Sequence, residues 1–381
     1  MKPLSGCRVL DLGIITAGAA TAAVLADFGA EVIKVESPSY RDPFRRWLSN
    51  RPDDAVEDLP PFFRATNRGK AGLSVDLKHP RGREVFLRLV ARSDIVVENF
   101  RRGVLAKLQL DYATLRATNP NLILASISSQ GESGPEARYV SYGSTLEAVG
   151  GLAWTTGYAG GAPTVSGVDL NYPDQVVALF ASAMIVTAWR ARQQGKGGAH
   201  LDLSQRELTG YLSGEAFVAA GAGLDVRPSG NAQAPHFLQD CFRTADGKWL
   251  AMTVEPAQRA TLAALLDIDT IGEWVALRPL EEAQRVLNAN GIAAAAALNG
   301  RQVLEREGQV WKDALQRLPD GTLVKGFAMQ FEREPMTVAR DAPVVGADTV
   351  EVLQRVAGLS TREIDDLAAE GVIEIAARKR C

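Results

Sequence analysis

The stretch RVLDLGIITAGAATAAVLADFGAEVIKVE, residues 8–36, decides the fold of this chain. Its first and last six residues are typical of short apolar strands, whereas residues 21–30 have helical periodicity that ends at a glycine. Two strands joined by one helix form a βαβ unit, in which the strands run parallel. The stretch therefore predicts an α/β fold.

The same alternation continues along the chain. Two further strand-like runs, DIVVENF (94–100) and NLILASIS (121–128), each follow a helix-like segment. Short apolar strands separated by helices predict a doubly wound parallel sheet with right-handed crossovers. We therefore expect a Rossmann-like large domain.

A smaller α+β domain is predicted near the middle of the chain. Two strand-like runs in FRTADGKWLAMTV (242–254) flank an Asp-Gly pair that is typical of a hairpin turn. We place the large domain at 1–224, the small domain at 225–330, and a C-terminal segment that returns to the large domain at 331–381.

Composition excludes several classes of protein. The 381 residues carry 42 basic and 45 acidic side chains, a formal net charge of −3, and 46% are hydrophobic. This balance argues against nucleic acid as a partner and against a disordered chain. The apolar runs are too short to cross a membrane. Cys7, Cys241 and Cys381 form no CxxC pair, so we expect a reducing, cytoplasmic location.

Common active-site motifs do not occur in the sequence. The spacing of Gly13 and Gly18 does not fit GxGxxG, so a dinucleotide site is disfavoured and the first βα loop can hold simple packing glycines. The three histidines lack metal-ligand spacing, and no GxSxG elbow is present. We expect no metal and no serine hydrolase chemistry.

Two carboxylates, Asp169 and Asp174, flank the start of a long helix-like segment. Asp174 follows Pro173 in the predicted first turn, where free backbone N–H groups and the helix dipole stabilise an anion. Such a residue can simply begin the helix. It can also act as a covalent nucleophile at the mouth of an α/β sheet.

Several runs together resemble the class III CoA-transferases, the family that includes formyl-CoA transferase, carnitine CoA-transferase and α-methylacyl-CoA racemase. They are LADFGAEVIKVESP, NRGKAGLSVDLK, DIVVENFRRGVLAKLQLDYATL and YPDQVVALFASAMIVTAWRARQQGKGGAHLDLSQRE, beginning at residues 25, 67, 94 and 172. They occur in the family's order and, with further runs, cover nearly the whole chain.

The resemblance implies an interlocked dimer and covalent catalysis. It assigns the nucleophile to Asp174, which lies 21 residues before Gly195, close to the family's spacing, whereas Asp169 is too early. The aspartate would form an anhydride with the donor acyl group and then a thioester with CoA. The reaction implied needs no cofactor beyond a CoA thioester as substrate, together with a carboxylic acid acceptor.

The resemblance also implies which residues contact CoA. Thr16 and Ala17 would lie near the thioester, and the remaining contacts would come from Lys70, Asn99, Phe100, Arg101, Lys107 and Tyr142. Lysine and arginine suit phosphate groups. A solvated basic face is the alternative for any one of these basic side chains.

Two alternatives to a self-contained transferase stay open. The racemase branch has a histidine where this chain has Tyr142, and a tyrosine is a poor base at neutral pH. Paired subunits occur among similar proteins, such as the succinyl-CoA:benzylsuccinate CoA-transferases, so a homologous partner subunit is the second alternative. Succinyl-CoA is one candidate donor.

Overall fold

The computed structural model describes residues 2–47, 59–167, 170–224, 226–306, 314–329, 331–332 and 334–376. These residues form two units. The first comprises residues 1–152, 166–214 and 311–381, and the second comprises residues 153–165 and 215–310.

Strands and helices alternate through the first 204 residues. The strands are β1 (Arg8–Asp11), β2 (Glu31–Glu36), β3 (Ala71–Ser74), β4 (Ile95–Glu98), β5 (Ile123–Ser128), β6 (Ala199–Ser204), β7 (Leu238–Arg243), β8 (Trp249–Val254), β9 (Ala293–Ala296), β10 (Leu315–Arg317) and β11 (Leu323–Lys325). The helices are α1 (Ala17–Asp27), α2 (Pro61–Asn67), α3 (Pro80–Val90), α4 (Val104–Lys107), α5 (Tyr112–Thr118), α6 (Gly143–Val149), α7 (Leu152–Thr155), α8 (Tyr172–Gln193), α9 (Gln205–Leu212), α10 (Gly214–Gly221), α11 (Arg259–Leu265), α12 (Ile271–Ala276), α13 (Leu280–Ala289), α14 (Gly300–Leu304), α15 (Thr349–Arg355) and α16 (Thr361–Ala369).

The sheet of the first unit has six parallel strands in the order β3-β2-β1-β4-β5-β6. The order reverses between β1 and β4, as in a dinucleotide-binding fold. This confirms the predicted doubly wound α/β sheet. Strand β3 was not predicted, because its four residues AGLS contain a single large apolar side chain.

Both faces of this sheet are covered by helices. Side-chain alternation along β1 directs Val9 to one face, with α1 and α8, and Leu10 to the other, with α3, α5, α15 and α16. Burial on both faces explains why the strands read as nearly continuous apolar runs.

The second unit contains a three-stranded antiparallel sheet in the order β7-β8-β9. The predicted hairpin is present: Arg243 pairs with Trp249, and Gly247 takes the positive φ of 74° that the turn requires. One face of the sheet packs on Leu262, Val275 and Leu287 of α11, α12 and α13.

The unit boundaries differ from those expected at 225–330 and 331–381. Residues 153–165 and 215–224 fall in the second unit, and residues 314–329 fall in the first, where β10 pairs with β11. Strands of three residues are too short to show a period of two, so no sequence pattern predicts this hairpin. The C-terminal helices lie in the first unit, where Thr349 accepts a hydrogen bond from the Ser74 amide at 3.1 Å.

Helix α9 ends at Ser213, and α10 begins at the next residue. Within the described ranges, no helix combines the length and apolar character needed to span a bilayer.

Candidate active site

The candidate site lies at the carboxyl ends of β1 and β4, where the strand order reverses. Open α/β sheets bind ligands at this point. The loop 13–16 follows β1, and Asn99 follows β4. The Asn99 side chain joins the two, since its Oδ1 accepts from the Ile14 amide at 2.7 Å and its Nδ2 donates to the Ile14 carbonyl at 3.0 Å.

Two glycines allow this loop to close tightly. A Cβ atom at Gly13 would lie 2.4 Å from the carbonyl carbon of Gly18, and one at Gly18 would lie 2.7 Å from Asn99 Oδ1. Both positions therefore exclude any larger residue. These are the packing glycines that the sequence allowed, in place of a dinucleotide fingerprint.

The loop backbone is strained at Ile15, whose φ is 60°. A β-branched residue in this region costs about 1–3 kcal/mol and persists only where surrounding contacts fix it. Here the Ile15 amide donates to Asp42 Oδ1 at 3.1 Å, and the Gly13 amide donates to Asp11 Oδ1 at 2.8 Å. The strain is thus held by two buried carboxylates.

Buried charges lie beneath the loop. Lys34 pairs with Asp42 at 2.8 Å and also donates to the Gly13 carbonyl, while Lys70 pairs with Asp11 at 2.7 Å. All four side chains are buried. Burial lowers the pKa of Lys34, but the carboxylates of Asp42, Asp11 and Glu36 more than offset this, so the net pKa lies above its ordinary value. Burial lowers the pKa of Lys70 to about 8.

The candidate nucleophile is Asp174. It lies in the first turn of α8, as predicted. Burial raises the pKa of Asp174 to about 6, and the backbone N–H groups of Asp174 and Ala17 oppose that rise. At pH 7 about 90% of this carboxyl is ionised.

Two neighbours shape the space around Asp174. A Cβ atom at Gly143, the first residue of α6, would lie 3.1 Å from Asp174 Oδ2. Asn171 precedes α8 with a φ of 47°, and its Nδ2 lies 3.5 Å from Thr16 Oγ1. An ionised carboxylate held in this way can attack an electrophilic carbonyl without a general base.

The structure places the predicted residues Thr16 and Ala17 at the start of α1 and Asp174 in the first turn of α8. The two helix starts are in contact, since Thr16 Oγ1 lies 3.5 Å from Asn171 Nδ2. Asn99 lies at the same loop, but both of its amide groups bond to Ile14. Asp169 lies outside the described residues, so the structure makes no comparison between the two aspartates.

The predicted CoA contacts fall into buried and exposed groups. Lys70 is fully buried, and its ammonium donates to Asp11, Ala19 and Asn67. Phe100 is half-buried against the core. The exposed members of the set are Arg101, Lys107 and Tyr142. Of the six, the fully buried Lys70 is therefore closed to a ligand unless the structure rearranges.

Sequence reasoning missed Lys34, Asp42 and Glu98. A lysine inside the apolar strand EVIKVE was the available signal for Lys34, since a buried lysine requires an anionic partner. Glu98 ends β4 and accepts from the Phe100 amide at 2.8 Å, and burial raises its pKa to about 7. Among the described residues no cluster of three metal-ligating side chains occurs.

Comparison with known proteins gives a consistent result. The sequence profile of the family described as CoA-transferase family III matches residues 4–270 and 254–349. The chain is 34% identical to the succinate–glutarate CoA-transferase of Agrobacterium fabrum, over 71% of this chain and 68% of that protein. It is 28% identical to the beta subunit of the succinyl-CoA–L-malate CoA-transferase of Chloroflexus aurantiacus, over 97% and 98% of the two chains.

Two further relatives are covered by this chain over a smaller share of their own length, and one solved structure is similar over nearly its whole length. The chain covers 50% of a probable CoA-transferase of Mycobacterium tuberculosis, at 28% identity, and 58% of the Chloroflexus alpha subunit, at 34% identity. The chain thus spans little more than half the length of these two relatives. A crystal structure of a CAIB/BAIF family protein from Brucella suis aligns with a TM-score of 0.83 at 26% identity, covering 93% of this chain and 99% of that one.

Proposed function

We propose that this chain, which belongs to CoA-transferase family III, transfers coenzyme A from an acyl-CoA donor to a carboxylic acid, with Asp174 as the covalent nucleophile. One observation carries the proposal. The start of α8, which carries the half-buried carboxylate of Asp174, contacts the start of α1 through Asn171 Nδ2 and Thr16 Oγ1 at 3.5 Å, and α1 follows a strand at which the sheet order reverses.

The proposed reaction begins with attack of an Asp174 oxygen on the donor thioester. The C–S bond breaks, CoA thiolate leaves, and an aspartyl anhydride forms. The thiolate attacks the aspartyl carbonyl and releases the donor acid, which leaves an aspartyl-CoA thioester. The acceptor carboxylate attacks this thioester to form a second anhydride and free thiolate. Attack of the thiolate on the acceptor carbonyl gives the product and regenerates Asp174.

The electrostatics of the site suit this sequence of steps. The attack by Asp174 on the donor thioester needs the ionised carboxylate, which a pKa of about 6 supplies at pH 7. Burial also leaves that carboxylate less solvated and so a better nucleophile than a surface aspartate. The N–H groups in the first turn of α1 have no carbonyl partner within the helix and suit developing negative charge.

We propose that the substrates are dicarboxylic acids and their CoA thioesters. The names of the similar proteins pair succinyl-CoA with malate or citramalate, and succinate with glutarate. Succinyl-CoA is therefore our proposed donor. For the nucleotide part of CoA we propose Arg101 and Lys107, which are exposed basic side chains after β4 and on α4.

We propose that the chain works as a dimer, with itself or with a homologous subunit. On the first unit, Leu179, Phe180 and Met184 of α8 are 54%, 40% and 47% exposed, and the exposed Tyr211 contacts the ring of Phe180. Contiguous exposed apolar side chains are typical of protein interfaces. The alpha and beta subunits of the Chloroflexus enzyme support the heteromeric form.

Intact-mass analysis tests the proposal. The purified protein is incubated briefly with succinyl-CoA, trapped with hydroxylamine or borohydride, digested, and compared with Asp174→Ala and Asp174→Asn. A trapped adduct on Asp174, absent from both variants, is the expected result. Exchange of the substrate's α-proton in heavy water without any adduct would show that the chain is a racemase rather than a transferase. An adduct that forms only after addition of a second homologous chain would identify the heteromer.

A further inference from the structure

We propose that Asn171 is a specificity-determining residue, whose side-chain oxygen accepts a hydrogen bond from a hydroxyl group on the carboxylic acid substrate. The inference rests on the proposed function, because it takes Asp174 as the residue at which that acid reacts. It goes further in favouring hydroxylated acids over acids that lack the hydroxyl. Asn171 directly precedes α8 and lies three residues before Asp174.

The backbone conformation of Asn171 leaves its side chain free of a capping role. An asparagine at the start of a helix ordinarily accepts a hydrogen bond from a backbone amide of the first turn. Asn171 instead has a φ of 47°, and its side chain forms no capping hydrogen bond. Its backbone carbonyl still accepts from the Gln175 amide at 3.1 Å, so the helix begins without use of the side chain.

One contact orients the carboxamide of Asn171. Its Nδ2 donates to Thr16 Oγ1 at 3.5 Å. Its Oδ1, on the other side of the carboxamide, lies near Gly143, where a Cβ atom would be 3.2 Å from it. Among the described residues, no group donates a hydrogen bond to this oxygen. The side chain is only half-buried, so Oδ1 is an acceptor that a ligand can use.

Asp174 approaches the same glycine from the first turn of α8. A Cβ atom at Gly143 would lie 3.1 Å from Asp174 Oδ2, so this oxygen and Asn171 Oδ1 both lie against one residue. An ionised carboxylate and an amide oxygen both accept hydrogen bonds and donate none. In the part of the chain that the structure describes, no side chain donates to either oxygen. Two neighbouring acceptors of this kind fit a ligand that brings its own donor.

A hydroxyl group is the donor that the reaction brings to this position. In the proposed anhydride, the acyl carbon of the acid is bonded directly to an oxygen that Asp174 also holds, so substituents on the next carbons lie near Asn171 Oδ1. A carboxylate substituent would be repelled there by two acceptor oxygens, whereas a hydroxyl donates to one of them. One hydrogen bond between neutral groups corresponds to a preference of about 3–10-fold.

Equilibrium binding tests this preference without any need for catalysis. Malate and succinate serve as probes, because they differ by one hydroxyl group. L-Malate, D-malate and succinate are each titrated by calorimetry into the full chain saturated with CoA. The wild type is expected to bind one enantiomer of malate about 3–10-fold more tightly than succinate.

Two variants of Asn171 separate its oxygen from its backbone. Asn171→Gly removes the acceptor and keeps the conformation, because glycine adopts a positive φ without strain, so its affinities for malate and succinate should become equal. Asn171→Asp keeps an acceptor oxygen on a residue that tolerates this backbone and should keep the preference, although its charge weakens binding of both acids. Gln109→Gly is the matched control, since Gln109 also carries an amide side chain at a positive φ of 56°, and it should bind both acids as the wild type does.

Equal affinities of the wild type for malate and succinate, or no binding of either acid, would overturn the proposal. So would an unchanged preference in Asn171→Gly, or an equal loss of affinity for both acids, which would place Asn171 against CoA or in the fold alone. If Asn171→Gly does not fold, Asn171→Ala makes the same truncation and is judged by the same ratio.

Kinetics separate this proposal from the proposed function. Transfer of CoA from succinyl-CoA to malate or to ¹³C-labelled succinate gives a ratio of kcat/KM values, which should change among the variants as the binding ratio does. If the acids bind with the expected preference but no CoA is transferred, the proposed function fails, and the binding ratios still decide the role of Asn171.

Discussion

Asn171 and Thr16, the residues before α8 and α1, bring the two helix starts together, with Asn171 Nδ2 3.5 Å from Thr16 Oγ1, and the backbone N–H of Ala17 favours the ionised form of the Asp174 carboxyl. Both helix termini favour the ionised form of that group. Burial opposes them and is the larger effect, since the pKa is raised to about 6. The site thus holds a carboxylate that is ionised at neutral pH but poorly solvated.

This balance predicts that Asp174 destabilises the fold at neutral pH. The folded pKa is raised, so the ionised form is penalised in the folded state above pH 6, and no penalty remains below about pH 4. The rise from 3.8 to about 6 corresponds to about 1–2 kcal/mol, after allowance for partial solvent screening. Asp174→Asn should therefore unfold at higher temperature than wild type at pH 7.5 and at the same temperature near pH 4.

Thermal unfolding followed by circular dichroism from pH 4 to 8 checks this prediction. Asp240→Asn provides a comparison, since it removes an acidic side chain from the second unit. A stability gain for Asp174→Asn that did not vary with pH would show that the cause is something other than ionisation of the buried carboxyl.

The space beside Asp174 predicts the effect of a single methyl group. In Gly143→Ala the new Cβ would lie 3.1 Å from Asp174 Oδ2 and 3.2 Å from Asn171 Oδ1, so the carboxylate must move by a few tenths of an ångström. Misplacement of a nucleophile costs about 10–100-fold in rate. We expect that loss in single-turnover adduct formation, with the unfolding temperature little changed.

Gly214→Ala is the control for that variant, because its Cβ meets nothing within 4 Å among the described residues. It should retain the wild-type rate. Equal rates for Gly143→Ala and wild type would show that the carboxylate has room to adjust.

Substitution of Asn99 distinguishes a structural role in the loop from a direct contact with CoA. In Asn99→Asp, the amide that donates to the Ile14 carbonyl becomes an oxygen that faces it, which costs about 1–3 kcal/mol. If Asn99 serves the loop, the rate of adduct formation falls while KM for the acyl-CoA stays nearly constant. If Asn99 binds CoA, KM rises instead. Steady-state and single-turnover kinetics separate the two.

Asn119→Asp is the matched control for Asn99. Its amide donates to the carbonyls of Val90 and Ser93 and its side chain accepts from the Asn121 amide, all near the amino end of β5, the opposite edge of the sheet. It should lose stability without any effect on rate. A loss of rate in both variants would show that unfolding, rather than the loop, is responsible.

Much of the fold could be predicted because parallel strands that are buried on both faces are short, nearly continuous apolar runs in the sequence. Strand β2 matches the predicted run 31–36 at both ends. The four-residue β3 and three-residue β10 could not be predicted, since pairing with neighbours defines them more than composition does.

The candidate site was predictable in part, for a physical reason. Asp174 carries a positional signal, a carboxylate after proline at a helix start, and its place in α8 agrees with that signal. Lys70 carries no sign of burial in the sequence, because a lysine is ordinarily exposed and only its partner Asp11 makes its burial possible.

The exposed basic residues Arg101 and Lys107 predict an effect on binding alone. Arg101→Ala and Lys107→Ala should each raise KM for succinyl-CoA about 3–10-fold at low salt, with less difference at high salt, because screening weakens contacts with phosphate. Both should keep the wild-type unfolding temperature. Arg362→Ala, an exposed residue on α16, is the control. An unchanged KM in both variants would show that the nucleotide part of CoA binds at other residues.

The final prediction concerns assembly of the protein through the exposed apolar face of α8. A charge at Phe180, which is 40% exposed beside Leu179 and Met184, would be buried without a partner if a second subunit covers this face. Phe180→Asp should therefore reduce the mass measured by light scattering from that of a dimer to that of one chain. Leu277→Asp, at a 79% exposed position on the second unit, is the control. If Phe180→Asp leaves the mass unchanged, this face is not the interface.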